Sequence, residues 1–172
     1  MATKFPILLQ IGIIVRDRDK AVENWEKLGF KMREVGVLSG ENAPLDDLTI
    51  DGERRPEVVS KTAFFNCYGM EIELIEPVAA SPYKTWLDEH GPGIHHIAVV
   101  PEDSYDDLLA KYKEEKGEEP WVRGVAMGGL MDFSYLDLRE ELGIFAEVYR
   151  NIQPGRPGIP YEYEGVDASK KA

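Results

Sequence analysis

Residues 10–15, Gln-Ile-Gly-Ile-Ile-Val, are matched 86 positions later by residues 96–101, His-Ile-Ala-Val-Val-Pro. Each stretch is an almost continuous apolar run that leads into a charged segment with apolar residues at helical spacing. A second pair of stretches, residues 72–75 and 146–149, carries one glutamate in each copy. A repeat of this length indicates two copies of one structural unit. The sequence therefore predicts an α+β fold in which two βαβββ modules form a shared, curved, cup-like sheet.

The two predicted modules span residues 7–77 and 94–150, and a linking helix lies within residues 78–93. Ser81 and Pro82 are residue types that commonly begin a helix, as cap and first-turn residue. The polar stretch 39–55 predicts a loop, and residues 151–172, with three prolines and three glycines, predict a tail that lies over the surface. The predicted strands are 8–15, 30–35, 58–66, 71–76, 94–100, 121–127, 133–137 and 144–149, with a turn at Tyr68-Gly69.

The bulk properties exclude several classes of function. A net charge of −12 argues against nucleic acid as a partner, because neutralising phosphates requires a basic surface. No apolar run is long enough to cross a bilayer, and residues 1–5 lack the apolar core of a signal peptide. The single cysteine, Cys67, cannot form an intramolecular disulfide, which fits a reducing compartment. We expect a cytoplasmic protein.

Four residues at repeat-related positions are candidate metal ligands. Gln10 corresponds to His96, and each module adds one carboxylate, Glu73 or Glu147. One imidazole, one amide oxygen and two carboxylates form a mostly oxygen shell, which suits Mn, Fe, Co, Ni or Zn as divalent ions. Neighbouring side chains on a strand point to opposite faces, so we expect only one of His95 and His96 to join the site. The repeat selects His96, and His95 is expected on the outer face.

The pattern resembles a known superfamily. The segments beginning at Gln10 and Ile72, the Gly93-Ile-His-His-Ile-Ala stretch and the segment beginning at Ala146 are similar to the vicinal oxygen chelate superfamily, which includes glyoxalases, bleomycin resistance proteins and dioxygenases. Residues 74–98 most resemble methylmalonyl-CoA epimerases. By family position the metal ligands are Gln10, Glu73, His96 and Glu147. The epimerases usually have histidine at the first of these positions, whereas the combination Gln, Glu, His, Glu resembles the zinc form of glyoxalase I.

The resemblance implies an isomerase, a metal-dependent epimerase or racemase that moves a proton at a carbon next to a carbonyl. The ion would polarise the carbonyl and stabilise the enolate formed when the α-proton leaves. Such a reaction needs an acid or base on each face of the carbon. The resemblance places one at Glu147, as both ligand and base, and the other at a glutamate before the third strand, for which we select Glu57. The protein is expected to act as a homodimer.

The substrate is predicted to be a small carbonyl compound, either a CoA thioester such as methylmalonyl-CoA or a ketone such as an isoflavanone. The aromatic side chains of Phe64 and Tyr135 are expected to line an apolar pocket for it. Two alternatives remain open. One is a glyoxalase I-like isomerase of thiol–aldehyde adducts, and the other is a metal-free protein of the same fold that binds a small molecule without chemistry.

Overall fold

The computed structural model describes residues 3–38, 47–57, 59–67 and 70–151. The predicted tail from residue 152 onwards, the turn at Tyr68-Gly69 and residues 39–46 of the predicted loop lie outside these residues. The first half of the chain contains β1 (Ile7–Ile14), α1 (Arg18–Lys27), β2 (Met32–Leu38), β3 (Thr49–Ile50), β4 (Glu53–Arg54), β5 (Ser60–Cys67), β6 (Met70–Pro77) and α2 (Pro82–His90). The second half contains β7 (Gly93–Val100), α3 (Tyr105–Lys116), β8 (Val122–Ala126), a 3₁₀ turn (Met127–Gly129), β9 (Met131–Leu138), α4 (Arg139–Leu142) and β10 (Ile144–Tyr149).

Within the described ranges, all ten strands form one mixed sheet in the order β2-β5-β6-β1-β7-β10-β9-β8-β3-β4. Strands β1 and β7, which begin the two halves, lie side by side and antiparallel at its middle. Each of them pairs on its other side with the last strand of its own half, β6 or β10, in parallel. The predicted α+β class is thus confirmed. Across those same ranges, no helix combines the length and the apolar character needed to span a membrane.

Helices α1 and α3 cover one face of the sheet. The side chain of Asp17 caps α1 by accepting from the Lys20 backbone N–H, and Ser104 caps α3 in the same way through Asp107. Trp25 of α1 packs edge-on against Phe30 and lies 5.4 Å from the ring of Phe65 on β5. We call this the helix face. Side chains alternate along a strand, so every second residue of these strands points to the opposite side of the sheet. We call that side the site face.

The site face of the second half is covered by α2 and by residues before β5. Tyr83 and Leu87 of α2 are buried against Tyr135 and Phe145 of the sheet. Ser81 caps α2 by accepting from the Lys84 backbone N–H, and Pro82 occupies its first turn, as the sequence predicts. Helix α2 lies inside the predicted linking segment 78–93. It both joins the two halves of the chain and covers part of the site face.

The segment predicted as a loop over residues 39–55 contains a β-hairpin, so that part of the prediction is wrong. Strands β3 and β4 pair with each other, and β3 extends the sheet beside β8 of the other half. Asp51 and Gly52 form the turn with positive φ angles of 53° and 80°, the geometry for which Asp-Gly is favoured. Leu48 and Ile50 are buried in the same cluster as Tyr135. Tertiary packing of these two side chains orders a stretch whose polar composition favours a loop.

Candidate metal centre

The structure brings Gln10, Glu73, His96 and Glu147 together at the centre of the site face. They lie on four neighbouring strands, β1, β6, β7 and β10. The Nε2 atom of His96 lies 3.2 Å from Oε1 of Gln10, 3.2 Å from Oε2 of Glu147 and 3.5 Å from Oε2 of Glu73. Gln10 and His96 are fully buried, and Glu147 is 3% exposed.

The register of β1 explains why the groups can meet. Gly12 lies opposite Glu73 on one side and opposite His96 on the other. The imidazole of His96 occupies the space that a side chain at residue 12 would need, because a Cβ built there falls 1.9 Å from Cε1 of His96. Sequence reasoning missed this role. The signal was a single glycine inside an apolar strand, which often marks a close approach.

The contacts at His96 exceed what hydrogen bonds can satisfy. A ring nitrogen carries at most one proton, so Nε2 can make at most one well-aligned hydrogen bond, yet three oxygens lie within 3.5 Å of it. A shared cation accounts for all three contacts. Bonds of about 2.0–2.2 Å to one divalent ion place adjacent ligand atoms about 2.8–3.6 Å apart, which includes the distances observed. The donor set therefore fits a divalent metal ion.

The charges of the cluster also favour a bound cation. Burial chiefly raises the pKa of Glu73, with the carboxylates of Glu147 and Glu71 adding to the effect and His96 opposing it. Burial lowers the pKa of His96, but the carboxylates of Glu147 and Glu73 outweigh it and raise that pKa to about 9. A buried cluster of this kind gains from a positive charge at its centre, since unpaired buried carboxylates are costly. A bound ion would take the place of the His96 proton.

His95 lies beside His96 and not on the outer face, so the prediction that the two point to opposite faces is wrong. Gly12 pairs with His96 and Ile13 with Ile94, which leaves His95 as an extra residue in a β-bulge. The bulge interrupts the alternation of side chains. The Nδ1 atoms of the two histidines are 3.1 Å apart, and both rings contact Tyr135.

Two further side chains hold the candidate ligands in place. Gln10 donates through Nε2 to Oε1 of Glu71 at 2.7 Å, and the hydroxyl of Tyr149 donates to Oε2 of Glu147 at 2.6 Å. Glu71 is 1% exposed. Sequence reasoning missed both residues. The strand period would have found Glu71, since it lies two residues before Glu73 and therefore on the same face.

Phe64 and Tyr135, the predicted substrate-binding residues, are the cross-strand neighbours of the two carboxylates. Phe64 pairs with Glu73 in the β5–β6 ladder, and Tyr135 pairs with Glu147 in the β9–β10 ladder. The Tyr135 ring centroid lies 4.9 Å from that of His96. Phe64 is half-buried and Tyr135 is buried. Both rings thus flank the cluster on the site face.

Glu57, the predicted second base, does not join the cluster. Among the described residues, the group of histidine and acidic ligand atoms within 4.8 Å of one another consists of Glu73, His96 and Glu147. The Glu57 side chain is exposed and accepts from Nε of Arg55 at 2.7 Å. Its own backbone N–H and Arg55 lower its pKa, which makes it a weaker base. This position argues against a catalytic role. Glu57 was selected by its sequence distance from Glu73. That distance does not reflect the path of the chain, because the hairpin β3–β4 just before Glu57 lies at the opposite edge of the sheet from β2.

The sequence matches the family model of the Glyoxalase/Bleomycin resistance protein/Dioxygenase superfamily over residues 9–135, well over half of the chain. No curated protein matches it.

Several solved structures are similar to the chain. A hypothetical protein from Bacillus halodurans C-125 aligns with a TM-score of 0.58 and 22% identity, over 87% of this chain and 94% of the other. Methylmalonyl-CoA epimerase from Streptomyces coelicolor, in complex with 2-nitronate-propionyl-CoA, aligns with a TM-score of 0.55 and 21% identity, over 85% and 97%. Methylmalonyl-CoA epimerase from Mycobacterium tuberculosis aligns with a TM-score of 0.57 and 20% identity, over 87% and 90%. At these identities the similarity establishes a shared fold.

Proposed function

Because the chain belongs to the Glyoxalase/Bleomycin resistance protein/Dioxygenase superfamily, we propose that it is a metal-dependent epimerase or racemase acting at a carbon next to a carbonyl. The observation that carries this proposal is the meeting of two carboxylates, one from each half of the chain, at a single imidazole nitrogen. A proton that leaves one face of a carbon and returns to the other needs two such groups. The epimerases among the similar folds support the same reading.

Gln10, Glu73, His96 and Glu147 would hold the divalent ion, with Gln10 and His96 as neutral ligands and Glu73 serving as a ligand only while its carboxyl is ionised. When bound, the ion supplies a Lewis acid that polarises the substrate carbonyl. The neutral ligands keep the centre from becoming too anionic, and burial of His96 excludes water from its ring. The donor set suits Mn, Co, Zn, Ni or Fe as the divalent ion.

The two carboxylates would carry the proton. Glu147 accepts the α-proton from one face while the electron pair of the C–H bond moves into the carbonyl, and Glu73 returns a proton to the other face. Glu73 is the candidate for this role because it is the second carboxylate at the cluster and comes from the other half of the chain. The hydroxyl of Tyr149 donates to Glu147 and so favours its ionised form. With Glu57 outside the cluster, Glu73 replaces it as the second base.

Two classes of substrate fit the proposal. CoA thioesters are supported by the ligand named in the similar Streptomyces structure. Neutral ketones are supported by the net charge of −12, which disfavours phosphate groups, and by the apolar rings of Phe64 and Tyr135 beside the cluster. A second function, isomerisation of thiol–aldehyde adducts, is favoured by the carboxylate at Glu73 together with the amide at Gln10, the ligand set that resembles zinc glyoxalase I.

The test is exchange of the α-proton for deuterium in D₂O, followed by NMR at saturating metal. The panel contains methylmalonyl-CoA, an isoflavanone and the adduct of methylglyoxal with a thiol. We expect exchange with one of the first two, and a loss of roughly 10²-fold or more in Glu147→Gln and in Glu73→Gln. Glu26→Gln, on the exposed surface of α1, is the matched control. Conversion of the adduct alone would favour the glyoxalase reading. A metal-loaded protein inactive on all three would contradict the proposal.

A further inference from the structure

Glu71 is a buried carboxylate beside the cluster that the proposed mechanism does not use. It lies on β6, directly opposite Gln10 in the β1–β6 ladder. Both side chains are almost completely removed from solvent, with Gln10 at 0% and Glu71 at 1% exposure. Burying a carboxylate is costly unless it makes strong polar contacts, so its presence here calls for an explanation.

The contact between Glu71 and Gln10 fixes which end of the amide faces the cluster. The NH₂ group of Gln10 donates to Oε1 of Glu71 at 2.7 Å, so the nitrogen end of the amide points towards β6. The carbonyl oxygen of Gln10 is thereby turned towards Nε2 of His96, 3.2 Å away. Only this oxygen can act as a metal ligand. A rotated amide would present NH₂ to the ion instead.

The repeat shows that the fold itself does not require a carboxylate at this position. In the β1–β6 ladder Gln10 pairs with Glu71, and in the β7–β10 ladder His96 pairs with Phe145. The second half thus accommodates a buried apolar ring at the equivalent place. The difference follows the ligand: an amide needs a partner for its NH₂ group, whereas the imidazole of His96 has His95 beside its Nδ1 atom.

We propose that Glu71 is a positioning residue, which holds the Gln10 amide so that its oxygen serves as a ligand of the metal ion. The inference rests on the proposed metal centre and deepens it. A weak amide ligand becomes effective because its orientation is fixed before the ion arrives, and partners of this kind typically contribute 10- to 100-fold in metal affinity.

The test is a double-mutant cycle on metal affinity, measured with Co²⁺ against a chromophoric chelator, with the visible absorption of bound Co²⁺ as a second readout. Glu71→Met keeps the length of the side chain and removes its acceptor, and Glu71→Leu is the second apolar variant if the first does not fold. We expect Glu71→Met to weaken Co²⁺ binding by roughly 10- to 100-fold and to change the absorption spectrum. Glu71→Gln, which retains an acceptor oxygen, should restore most of the affinity.

The cycle separates positioning from general support of the fold. In a Gln10→Ala background Glu71 has no amide to hold, so adding Glu71→Met should cost little further affinity. An apolar variant that binds Co²⁺ as tightly as the wild type overturns the inference, as does an equal cost in both backgrounds. Those outcomes leave the metal centre standing. A wild-type protein that binds no Co²⁺, Zn²⁺ or Mn²⁺ would overturn the proposed function and the inference together.

Discussion

The two halves of the candidate centre use equivalent backbone positions, but the side chains at these positions differ. In the first half the candidate ligand is the amide of Gln10, which donates to Glu71 on the neighbouring strand β6. In the second half the candidate ligand is the imidazole of His96, and its neighbour His95 comes from the adjoining bulge of the same strand. The corresponding positions, first half before second, are Gln10 and His96, Gly12 and Ala98, Glu71 and Phe145, Glu73 and Glu147.

A repeated unit can diverge at some positions of a shared site and keep others unchanged. The carboxylates are the same in both halves, whereas the neutral ligands and the residues that position them differ. Gly12 faces His96 across the β1–β7 ladder, and Ala98 faces Gln10. The half that lacks a side chain at this position is the one that receives the imidazole of the other half. The centre therefore depends on asymmetry between the halves as much as on their similarity.

The largest effect is expected from removing that asymmetry at Gly12. In Gly12→Ala the new Cβ would lie 1.9 Å from Cε1 of His96, so the ring must leave its position. We expect loss of metal binding and a fall in the free energy of unfolding near the upper end of the roughly 1–3 kcal/mol typical of overpacking. Urea unfolding and metal titration measure the two effects.

Gly93→Ala is the matched control, because its Cβ would meet only an ordinary contact with Trp86 at 3.9 Å. It should bind metal like the wild type. A Gly12→Ala variant that also retains full affinity and stability would show that His96 does not need the space above β1.

A smaller effect is expected from pH, and it has opposite signs for the two adjacent histidines. The pKa of His96 is raised to about 9, above its usual 6.5, by carboxylates that outweigh the opposing effect of burial. Its contribution to the stability of the metal-free protein is thus present below pH 6.5 and lost as the pH rises towards 9. Burial, aided by the charge of His96, lowers the pKa of His95 to about 2. The contribution of the neutral His95 ring to the stability of the metal-free protein is thus present above pH 6.5 and lost as the pH falls towards 2.

Urea unfolding of the metal-free protein across this range separates the two histidines. His96→Gln should flatten the loss of stability on the alkaline side. His95→Leu, which introduces the residue found at the equivalent Leu9, should flatten the loss on the acidic side. Unchanged pH profiles in both variants would mean that neither ring titrates as its surroundings indicate.

The smallest effect is expected at Tyr149, whose hydroxyl donates to Glu147 and whose counterpart in the first half is Ile75. Tyr149→Phe removes one hydrogen bond, worth roughly 0.5–1.5 kcal/mol, so α-proton exchange should slow by about 2- to 10-fold. Tyr112→Phe removes a hydroxyl that accepts from the Asp137 backbone N–H on the helix face, and it should leave the exchange rate alone. Equal effects in the two variants would show that the Tyr149 hydroxyl has no specific effect on α-proton exchange.

The repeat carried the prediction of the sheet and of the meeting of Gln10, Glu73, His96 and Glu147, because equivalent residues in paired central strands must come close together. The β-bulge at His95 was not predictable from alternation, since one inserted residue reverses the face of a side chain. The hairpin after Leu48 was missed although Asp51-Gly52 is a turn signal. Glu57 was selected by counting along the chain, which does not follow the path of that hairpin. Glu71 lay within reach of strand periodicity and was overlooked.

The shared metal centre is tested most simply by the metal content of the purified protein after loading with divalent ions, determined by mass spectrometry for the wild type and for His96→Ala. Side chains from both halves meet at the Nε2 atom of His96, so removing the imidazole should abolish metal binding. We predict about one ion per chain in the wild type and a loss of that ion in the variant. A wild type without metal, or a variant that retains it in full, would contradict a centre shared by the two halves.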